Sequence, residues 1–148
     1  MKIRTMTVAA MAFFAGTTFA LAATKDDAVA MVRKVVALIK ADGPDKAYAE
    51  INKGGQFANG EIYPIVQDFA GVTLAHAVNP KLIGKHMIDV QDVDGKYFVK
   101  ERVDLAQKQV SFWTEYKFAN PVTKKIEMKE MYCERLNQTL VCAGIYKL

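Results

Sequence analysis

Apolar and polar positions recur along the chain with two periods, one typical of helices and one typical of strands. Apolar side chains at three- and four-residue steps predict a long amphipathic helix over residues 25–40 and shorter helices over residues 45–52 and 96–108. Runs of β-branched and aromatic residues, bounded by Gly, Asn and Pro, predict strands. These runs cover residues 62–69, 72–78, 110–118, 125–136 and 139–147.

The predicted element order is α-α-β-β-α-β-β-β, and this order narrows the fold class. Strands and helices do not alternate repeatedly, as they do in a doubly wound parallel sheet. The short connections between the last three strands require antiparallel pairing. We therefore predict an α+β fold with one five-stranded antiparallel sheet. A long N-terminal helix covers one face, and a loop-helix segment at residues 79–109 covers the other.

The first 22 residues have the pattern of a secretory signal peptide. A positively charged start precedes an apolar centre, and the segment ends in Ala-Leu-Ala at residues 20–22. We predict cleavage after Ala22, which leaves one domain, residues 23–148, in the periplasm or outside the cell. The alternative is an uncleaved N-terminal anchor, although the apolar stretch is short for a membrane-spanning helix.

Composition and motifs argue against several functional classes. The formal net charge is +4, of which the predicted signal peptide supplies two charges, and there is no basic block, so no nucleic-acid partner is predicted. The chain has no phosphate-binding glycine loop, no Cys-x-x-Cys motif and no carboxylate pair that we can place across a cleft. Its two histidines and two cysteines lack metal-ligand spacing. We therefore predict no catalytic residues, no metal and no cofactor.

Six short phrases follow one another across nearly the whole predicted mature chain. They are Tyr-Pro-Ile-Val-Gln-Asp at 63–68, Leu-Ala-His at 74–76, Asn-Pro-Lys-Leu-Ile-Gly-Lys at 79–85, Asp-Gly-Lys-Tyr-Phe-Val-Lys-Glu at 94–101, Tyr-Lys-Phe-Ala-Asn-Pro-Val-Thr-Lys at 116–124 and Gly-Ile-Tyr at 144–146. In this order the phrases resemble the single Cache domain, the extracellular PAS-like sensor module of bacterial chemoreceptors and sensor kinases.

The resemblance implies a PAS-like Cache fold and a role in signal transduction or chemotaxis. Members of that family bind small molecules, often short carboxylates, between the central sheet and the loop-helix segment. They are usually flanked by transmembrane helices and followed by a cytoplasmic signalling domain, and this sequence shows neither, so ligand binding without an output domain is implied. Residues 111–115, Ser-Phe-Trp-Thr-Glu, are bulkier than the Gly-rich phrase common at that place and are expected to reshape the pocket.

Five side chains are candidate ligand contacts. His76 lies in the Leu-Ala-His phrase and is a candidate hydrogen-bond donor or charge switch; alternatively it is an ordinary core or surface histidine. Lys129 lies in the middle of a predicted strand, where a lysine is unfavourable unless it pairs with an anion or reaches solvent. Three aromatic residues are candidate pocket walls or plain core residues: Trp113, Tyr116 and Phe118.

The pairing of Cys133 and Cys142 can be worked out from the last predicted turn. With a two-residue turn at residues 137–138, Leu136 pairs with Thr139, and the same register places the two cysteines directly opposite each other. The cysteines then form a non-hydrogen-bonded pair, whose Cα atoms approach to about 4.5 Å. That distance suits a disulfide in an oxidising compartment. The alternative is two buried thiols, and a longer or bulged turn would break the register.

These observations together predict a binding module rather than an enzyme. In this hypothesis Lys129 supplies positive charge to a small carboxylate, while His76 and Tyr116 donate hydrogen bonds and Phe118 forms a wall. The protein then carries its ligand or presents it to a membrane receptor. Two alternatives stay open: a small secreted enzyme that uses the same pocket, and a partner-binding protein whose pocket is filled by its own aromatic residues.

Overall fold

The computed structural model describes residues 22–147 as three helices, two short 3-10 turns and five strands. Nearly all of the predicted signal peptide lies outside the described residues. The helices are α1 (Lys25–Asp42), α2 (Pro44–Asn52) and α3 (Phe98–Ala106), and the 3-10 turns are Gly55–Phe57 and Pro80–Leu82. The strands are β1 (Pro64–Asp68), β2 (Thr73–His76), β3 (Ser111–Ala119), β4 (Ile126–Leu136) and β5 (Thr139–Tyr146).

The five strands form one antiparallel sheet, as the sequence predicts. Their order across the sheet is β2-β1-β5-β4-β3, so the last strand of the chain lies in the centre, between β1 and β4. The hairpin β1-β2 and the three-stranded meander β3-β4-β5 are thus joined by pairing of β1 with β5. The α+β class and the five-stranded sheet are confirmed.

Helix α1 covers one face of the sheet. It begins with a capping box, in which the Asp27 backbone N–H donates to Thr24 Oγ1 and the Thr24 backbone N–H donates to the Asp27 carboxylate. Its apolar stripe packs against β4, β5 and β1, and its buried members are Ala28, Val32, Val35 and Ile39. Gly43, at a φ of 82°, ends the helix.

The opposite face is covered by α3 and by the loop that precedes it. Helix α3 packs on β3 and β4. The loop runs back along the edge strand β2, where the Gly84 N–H donates to the Thr73 carbonyl at 2.8 Å and the Thr73 N–H donates to the Lys85 carbonyl at 3.0 Å. The Met87 N–H then donates to the Gly71 carbonyl at 2.8 Å. The loop is therefore fixed to the sheet and forms a wall over its α3 face.

The hairpin β4-β5 has the register worked out from the sequence. Leu136 pairs with Thr139, and Cys133 pairs with Cys142, with a Cα–Cα distance of 4.1 Å. The two cysteines form a disulfide, and the prediction is confirmed. Asn137 adopts a φ of 55°, which the tight two-residue turn requires and which asparagine tolerates better than most residues.

Candidate functional site

A cluster of buried polar side chains lies on the α3 face of the sheet. Side chains alternate along a strand, so Lys129 on β4 shares this face with its two register partners, Tyr116 on β3 and Tyr146 on β5. Tyr63, immediately before β1, adds a third tyrosine. All four residues are buried. The cluster therefore places one cation among three aromatic rings inside the protein.

The amine of Lys129 is enclosed by aromatic rings. Its side chain is fully buried, and Nζ lies 3.7 Å from the centre of the Tyr63 ring and 4.7 Å from that of Tyr146. Within residues 22–147 no atom accepts a hydrogen bond from Nζ. Burial, reinforced by the positive charge of Arg102, holds the pKa of Lys129 well below its ordinary value, while Glu61 acts in the opposite direction.

Arg102 is a second buried cation on the same side of the sheet. It is fully buried on α3, and its guanidinium carbon lies 4.5 Å from the Tyr116 ring centre and 5.1 Å from that of Phe98. Nη1 donates to Gln67 Oε1 at 3.2 Å. Nε and Nη2 are buried and have no hydrogen-bond partner in the described part of the chain. Nη1 therefore has a hydrogen-bond partner in the protein, and the edge that carries Nε and Nη2 has none among the described residues.

His76 ends β2 with its ring buried beside Tyr63. Its Nδ1 accepts hydrogen bonds from the backbone N–H groups of Asn79, at 3.1 Å, and Val78, at 3.4 Å. The ring stacks on Tyr63 with 5.2 Å between centres. Burial, together with the charge of Lys129, lowers the pKa of His76 to about 4. The ring is therefore neutral near pH 7 and carries its proton on Nε2, which makes Nε2 a hydrogen-bond donor.

Two tyrosine hydroxyl groups form a short chain at the end of the cluster. The Tyr146 hydroxyl donates to the Ala119 carbonyl at 2.8 Å, and the Tyr63 and Tyr146 hydroxyl groups lie 3.2 Å apart. Because the single proton of Tyr146 is used on Ala119, Tyr63 is the donor between the two hydroxyl groups. Burial raises the pKa of both tyrosines, so neither is ionised near neutral pH.

A small cavity and a surface cleft meet at this cluster. The cavity has a volume of about 20 Å³, enough for one water molecule, and its polar lining includes Arg102, Gln67 and His76. The adjoining cleft has a volume of about 250 Å³. Tyr63, His76 and Phe118 line both spaces. Lys129 does not line the cavity, but its amine lies against the ring of Tyr63, which does.

The structure brings together four of the five candidate contacts. His76, Tyr116 and Phe118 line the cavity, and the Lys129 amine contacts the ring of Tyr63, another lining residue. Trp113 lies on the opposite face of the sheet, because odd-numbered residues of β3 point away from Tyr116 and Phe118.

The surroundings of Trp113 differ accordingly. It is 37% exposed, and its ring lies near the Tyr132 ring and near the Lys25 amine of α1. The prediction that Trp113 contacts the ligand is therefore corrected, and Trp113 is not part of the candidate site.

Arg102 is a candidate site residue that was not predicted from the sequence. The signal was present, because Arg102 recurs at helical spacing with Phe98, Val99, Val103 and Ala106, all of them buried on α3. A charged residue on an otherwise apolar helix stripe is unusual and indicates a buried partner or a ligand. Tyr63 and Tyr146, which enclose the lysine, carried no comparable signal.

The comparisons with known proteins identify the family. Residues 19–143 match the family described as Single Cache domain 2, which is most of the chain. The protein belongs to the single Cache domain 2 family, whose members are sensory ligand-binding domains. The comparison with curated proteins found no match.

Solved structures of chemotaxis sensor domains share the fold. A methyl-accepting chemotaxis protein from Vibrio parahaemolyticus superposes with a TM-score of 0.71 at 23% identity, over 82% of this chain and 87% of that one. A periplasmic sensor domain of a chemotaxis protein gives 0.66 at 21% identity, over 82% and 88%. A Cache chemosensory domain, described as recognising a carboxylic acid, gives 0.63 at 21% identity, over 80% and 82%.

Two kinds of feature are absent from the described part of the chain, a membrane-spanning helix and a cluster of metal-binding side chains. No helix between residues 22 and 147 is long and apolar enough to cross a membrane. The same part of the chain contains no group of three or more His, Cys, Asp or Glu side chains placed to hold a metal ion.

Proposed function

We propose that this protein is an exported binding module that holds a small carboxylate against Arg102, in the cavity beneath α3. One observation carries the proposal: two fully buried basic side chains, Arg102 and Lys129, lie on one face of the sheet with no anionic partner among the described residues. A buried basic group without a partner is costly whether it keeps its charge or gives up its proton, so a protein that keeps two of them has a use for an anion there.

The edge of Arg102 that carries Nε and Nη2 suits a carboxylate. Arginine binds carboxylates through two parallel N–H donors, and the Nε and Nη2 groups form such a pair. Gln67 already occupies Nη1 and fixes the orientation of the guanidinium. Stacking against Tyr116 and Phe98 holds its plane. The donors are thus oriented before a ligand arrives, which reduces the entropy lost on binding.

The remaining lining supports a small anionic ligand with a short body. The neutral His76 ring presents Nε2–H as an additional donor, and Phe118 and Tyr63 supply apolar walls. The cavity of about 20 Å³ holds only one water molecule, so a carboxylate enters by displacing side chains that the cavity shares with the 250 Å³ cleft. Recognition of a carboxylic acid by a Cache chemosensory domain of the same fold supports this class of ligand.

The N-terminal pattern and the family support the proposed export and the proposed use of the ligand. The pattern of residues 1–22 supports secretion to the periplasm. Family members and structural neighbours belong to sensory systems, including chemotaxis receptors. In this proposal the protein reports the presence of its ligand through a membrane receptor, rather than converting the ligand into a product.

A thermal-shift screen with matched acid and amide pairs tests the proposal. Acetate, propionate, pyruvate and succinate are compared with acetamide, propionamide, pyruvamide and succinamide, which are similar in shape but uncharged. At 100 times the dissociation constant, binding stabilises the folded state by about 2.7 kcal/mol. We expect at least one acid to raise the Tm with concentration, and its amide to have no effect.

Two variants make the screen specific for the site. Arg102→Met removes the proposed carboxylate donors, and we expect it to abolish the shift. Lys100→Met removes an exposed charge from the same helix and serves as the matched control, which keeps the shift. An acid that stabilises both variants equally, or an amide as effective as its acid, would show that Arg102 does not hold the ligand.

A further inference from the structure

We propose that carboxylate binding at this site takes up one proton from solvent and that the amine of Lys129 receives it. This inference rests on the proposed function, because it concerns the same anion at the same site. It adds a second property, a dependence of affinity on pH that arises inside the protein rather than on the ligand. The carboxylate itself stays ionised throughout.

The surroundings of the amine favour its neutral form when no anion is present. The two neighbouring strands place Tyr116 and Tyr146 beside Lys129, and β1 is preceded by Tyr63, so three uncharged rings surround Nζ. An aromatic face attracts a cation, but this attraction is worth only about 0.5–2 kcal/mol. Burying an ammonium ion without a hydrogen-bond partner costs several kcal/mol, so the rings do not offset the burial.

The charged groups around the amine leave the balance on the side of the neutral form. Helix α3 contributes Arg102, a permanent cation, and β2 contributes His76, which is neutral. Glu61 acts in the opposite direction, but its carboxylate is within reach of the Asn120 side chain, at 3.4 Å, and does not pair with the lysine. Arginine does not lose its proton in proteins, so Lys129 is the cation that can become neutral.

An incoming carboxylate reverses this balance. Bound at Nε and Nη2 of Arg102, it brings one negative charge into the same low-dielectric region, and a nearby opposite charge favours the protonated amine. The overall step is the binding of one carboxylate anion and one solvent proton, which converts the Lys129 amine to an ammonium ion. No bond of the ligand forms or breaks. The charge added to the interior is zero, which lowers the cost of burying the anion.

This coupling makes affinity depend on pH in a defined direction. Between the pKa of Lys129 in the unliganded protein and its higher pKa in the complex, each bound carboxylate takes up about one proton. Within that window the affinity falls about tenfold for each unit by which the pH rises. The protein therefore binds its ligand in neutral surroundings and releases it as they become alkaline.

Calorimetry with acetate in two buffers measures the proton directly. Phosphate and Tris release very different amounts of heat when they give up a proton, so the observed binding heats differ in proportion to the protons taken up. We expect uptake of up to one proton per acetate over a pH window that lies below the ordinary lysine pKa of about 10.4. Lys129→Met should lose the buffer dependence, and Lys100→Met should keep it.

His76 is the other group in the cluster that can take up a proton, and a variant separates the two. Uptake by His76 is confined to pH values below about 6.5, the ordinary pKa of histidine. His76→Asn keeps an acceptor for the backbone N–H groups of Val78 and Asn79 but does not titrate. We expect this variant to retain proton uptake above that pH. Loss of the uptake in His76→Asn would overturn the assignment to Lys129.

A titration of the unliganded protein tests the inference independently of the proposed function. The Cε carbon of Lys129 is followed by ¹³C NMR in the unliganded protein, with Lys129→Met to assign the signal. We expect it to titrate well below the ordinary value, and titration near the ordinary value of about 10.4 would overturn the inference whatever binds. Acetate binding with equal heats in both buffers would overturn the inference alone. No binding of any acid in the screen would overturn the proposed function and the coupling with it.

Discussion

At position 129 the side chain that favours the proposed binding of an anion differs from the one that would give the most stable fold. The Lys129 amine is fully buried among aromatic rings and has no hydrogen-bond acceptor in the described part of the chain. Methionine has a similar length and no charge, so it fills the same space without the desolvation cost. In the proposed function, Lys129 lowers the stability of the unliganded protein and favours the binding of an anion.

Lys129→Met should raise the free energy of unfolding in the absence of ligand, by about 1 kcal/mol or more. The pKa of Lys129 is lowered in the folded state, so the unfolded chain binds the proton more tightly and wild-type stability rises with pH up to the ordinary lysine pKa. The advantage of the variant should therefore shrink as pH rises. Urea unfolding at several pH values measures both effects, and a variant less stable than the wild type at neutral pH would contradict them.

His76 should make the protein sensitive to mild acid. Its pKa falls from 6.5 to about 4 on folding, so the unfolded state binds more protons between these values and stability is lost as pH decreases through that window. The full effect is about 3 kcal/mol, from about 1.4 kcal/mol for each pH unit.

The test compares unfolding of the wild type with that of His76→Asn from neutral pH to pH 4. The variant should lose most of the slope across this window, and His86→Gln, which changes an exposed histidine, should keep it. Equal slopes in the wild type and in His76→Asn would show that the buried histidine does not destabilise the protein in acid.

Lys129 and His76 could be predicted from the sequence as candidate site residues, but Arg102 could not. A lysine in the middle of a strand contradicts the strand pattern and is visible without coordinates. Arginine is a good helix former with a long apolar stem, so Arg102 does not disturb the helical pattern in which it lies. Trp113 was misplaced because aromatic character alone does not define which face of β3 points to the cavity.

At the level of the elements, the disulfide between Cys133 and Cys142 cross-links the hairpin β4-β5. The loop that it closes is short, and a loop of this length corresponds to about 2–3 kcal/mol in the chain-entropy description. Reduction should therefore lower the free energy of unfolding by about this amount, measured by urea unfolding with and without reductant. The double variant Cys133→Ala/Cys142→Ala should not respond to reductant. Thiol titration that shows complete reduction without loss of stability would contradict the prediction.

The loop over β2 depends on the absence of a side chain at Gly71. Gly71 has a φ of 79°, and an added Cβ would lie 2.8 Å from the Ile88 Cβ. Gly84, in the same loop, has a φ of 77° and open space around it, so Gly84→Ala carries the backbone strain alone.

We expect Gly71→Ala to destabilise the protein by about 1–3 kcal/mol more than Gly84→Ala, because only the former overpacks the loop against the sheet. Thermal or urea unfolding of both variants checks the difference. Equal destabilisation by the two substitutions would mean that the loop adjusts freely and does not form a fixed wall over the site.

Most elements could be predicted because their periodicity is strong. The register of the last hairpin followed from a two-residue turn, which leaves no freedom in pairing. The position of β5 between β1 and β4 could not be deduced from pattern, since β1 and β5 are far apart in the chain and strand periodicity does not specify partners. The end of β2 at His76 also required coordinates, because Val78 and Asn79 donate to the ring instead of continuing the ladder.

Across the whole molecule, the two faces of the sheet differ in how their charged side chains are paired. On the α1 face, Glu130 pairs with Lys25 at 3.1 Å and with Lys147 at 3.0 Å, and Lys147 also pairs with Glu115. These partly exposed pairs contribute little to stability, but each of their charges has a partner. On the α3 face the two buried basic side chains, Arg102 and Lys129, lack such partners within residues 22–147. The difference supports the proposal that an anion binds on the α3 face rather than on the α1 face.

A co-crystal structure with acetate tests whether the edge of Arg102 that carries Nε and Nη2 holds a carboxylate. We expect two carboxylate oxygens at about 2.7–2.9 Å from Nε and Nη2, with Gln67 still bound to Nη1. We also expect a widened cavity that opens to the cleft beside Phe118. Acetate bound at another place, with Nε and Nη2 still unpaired at saturating concentration, would show that this edge is not the carboxylate site.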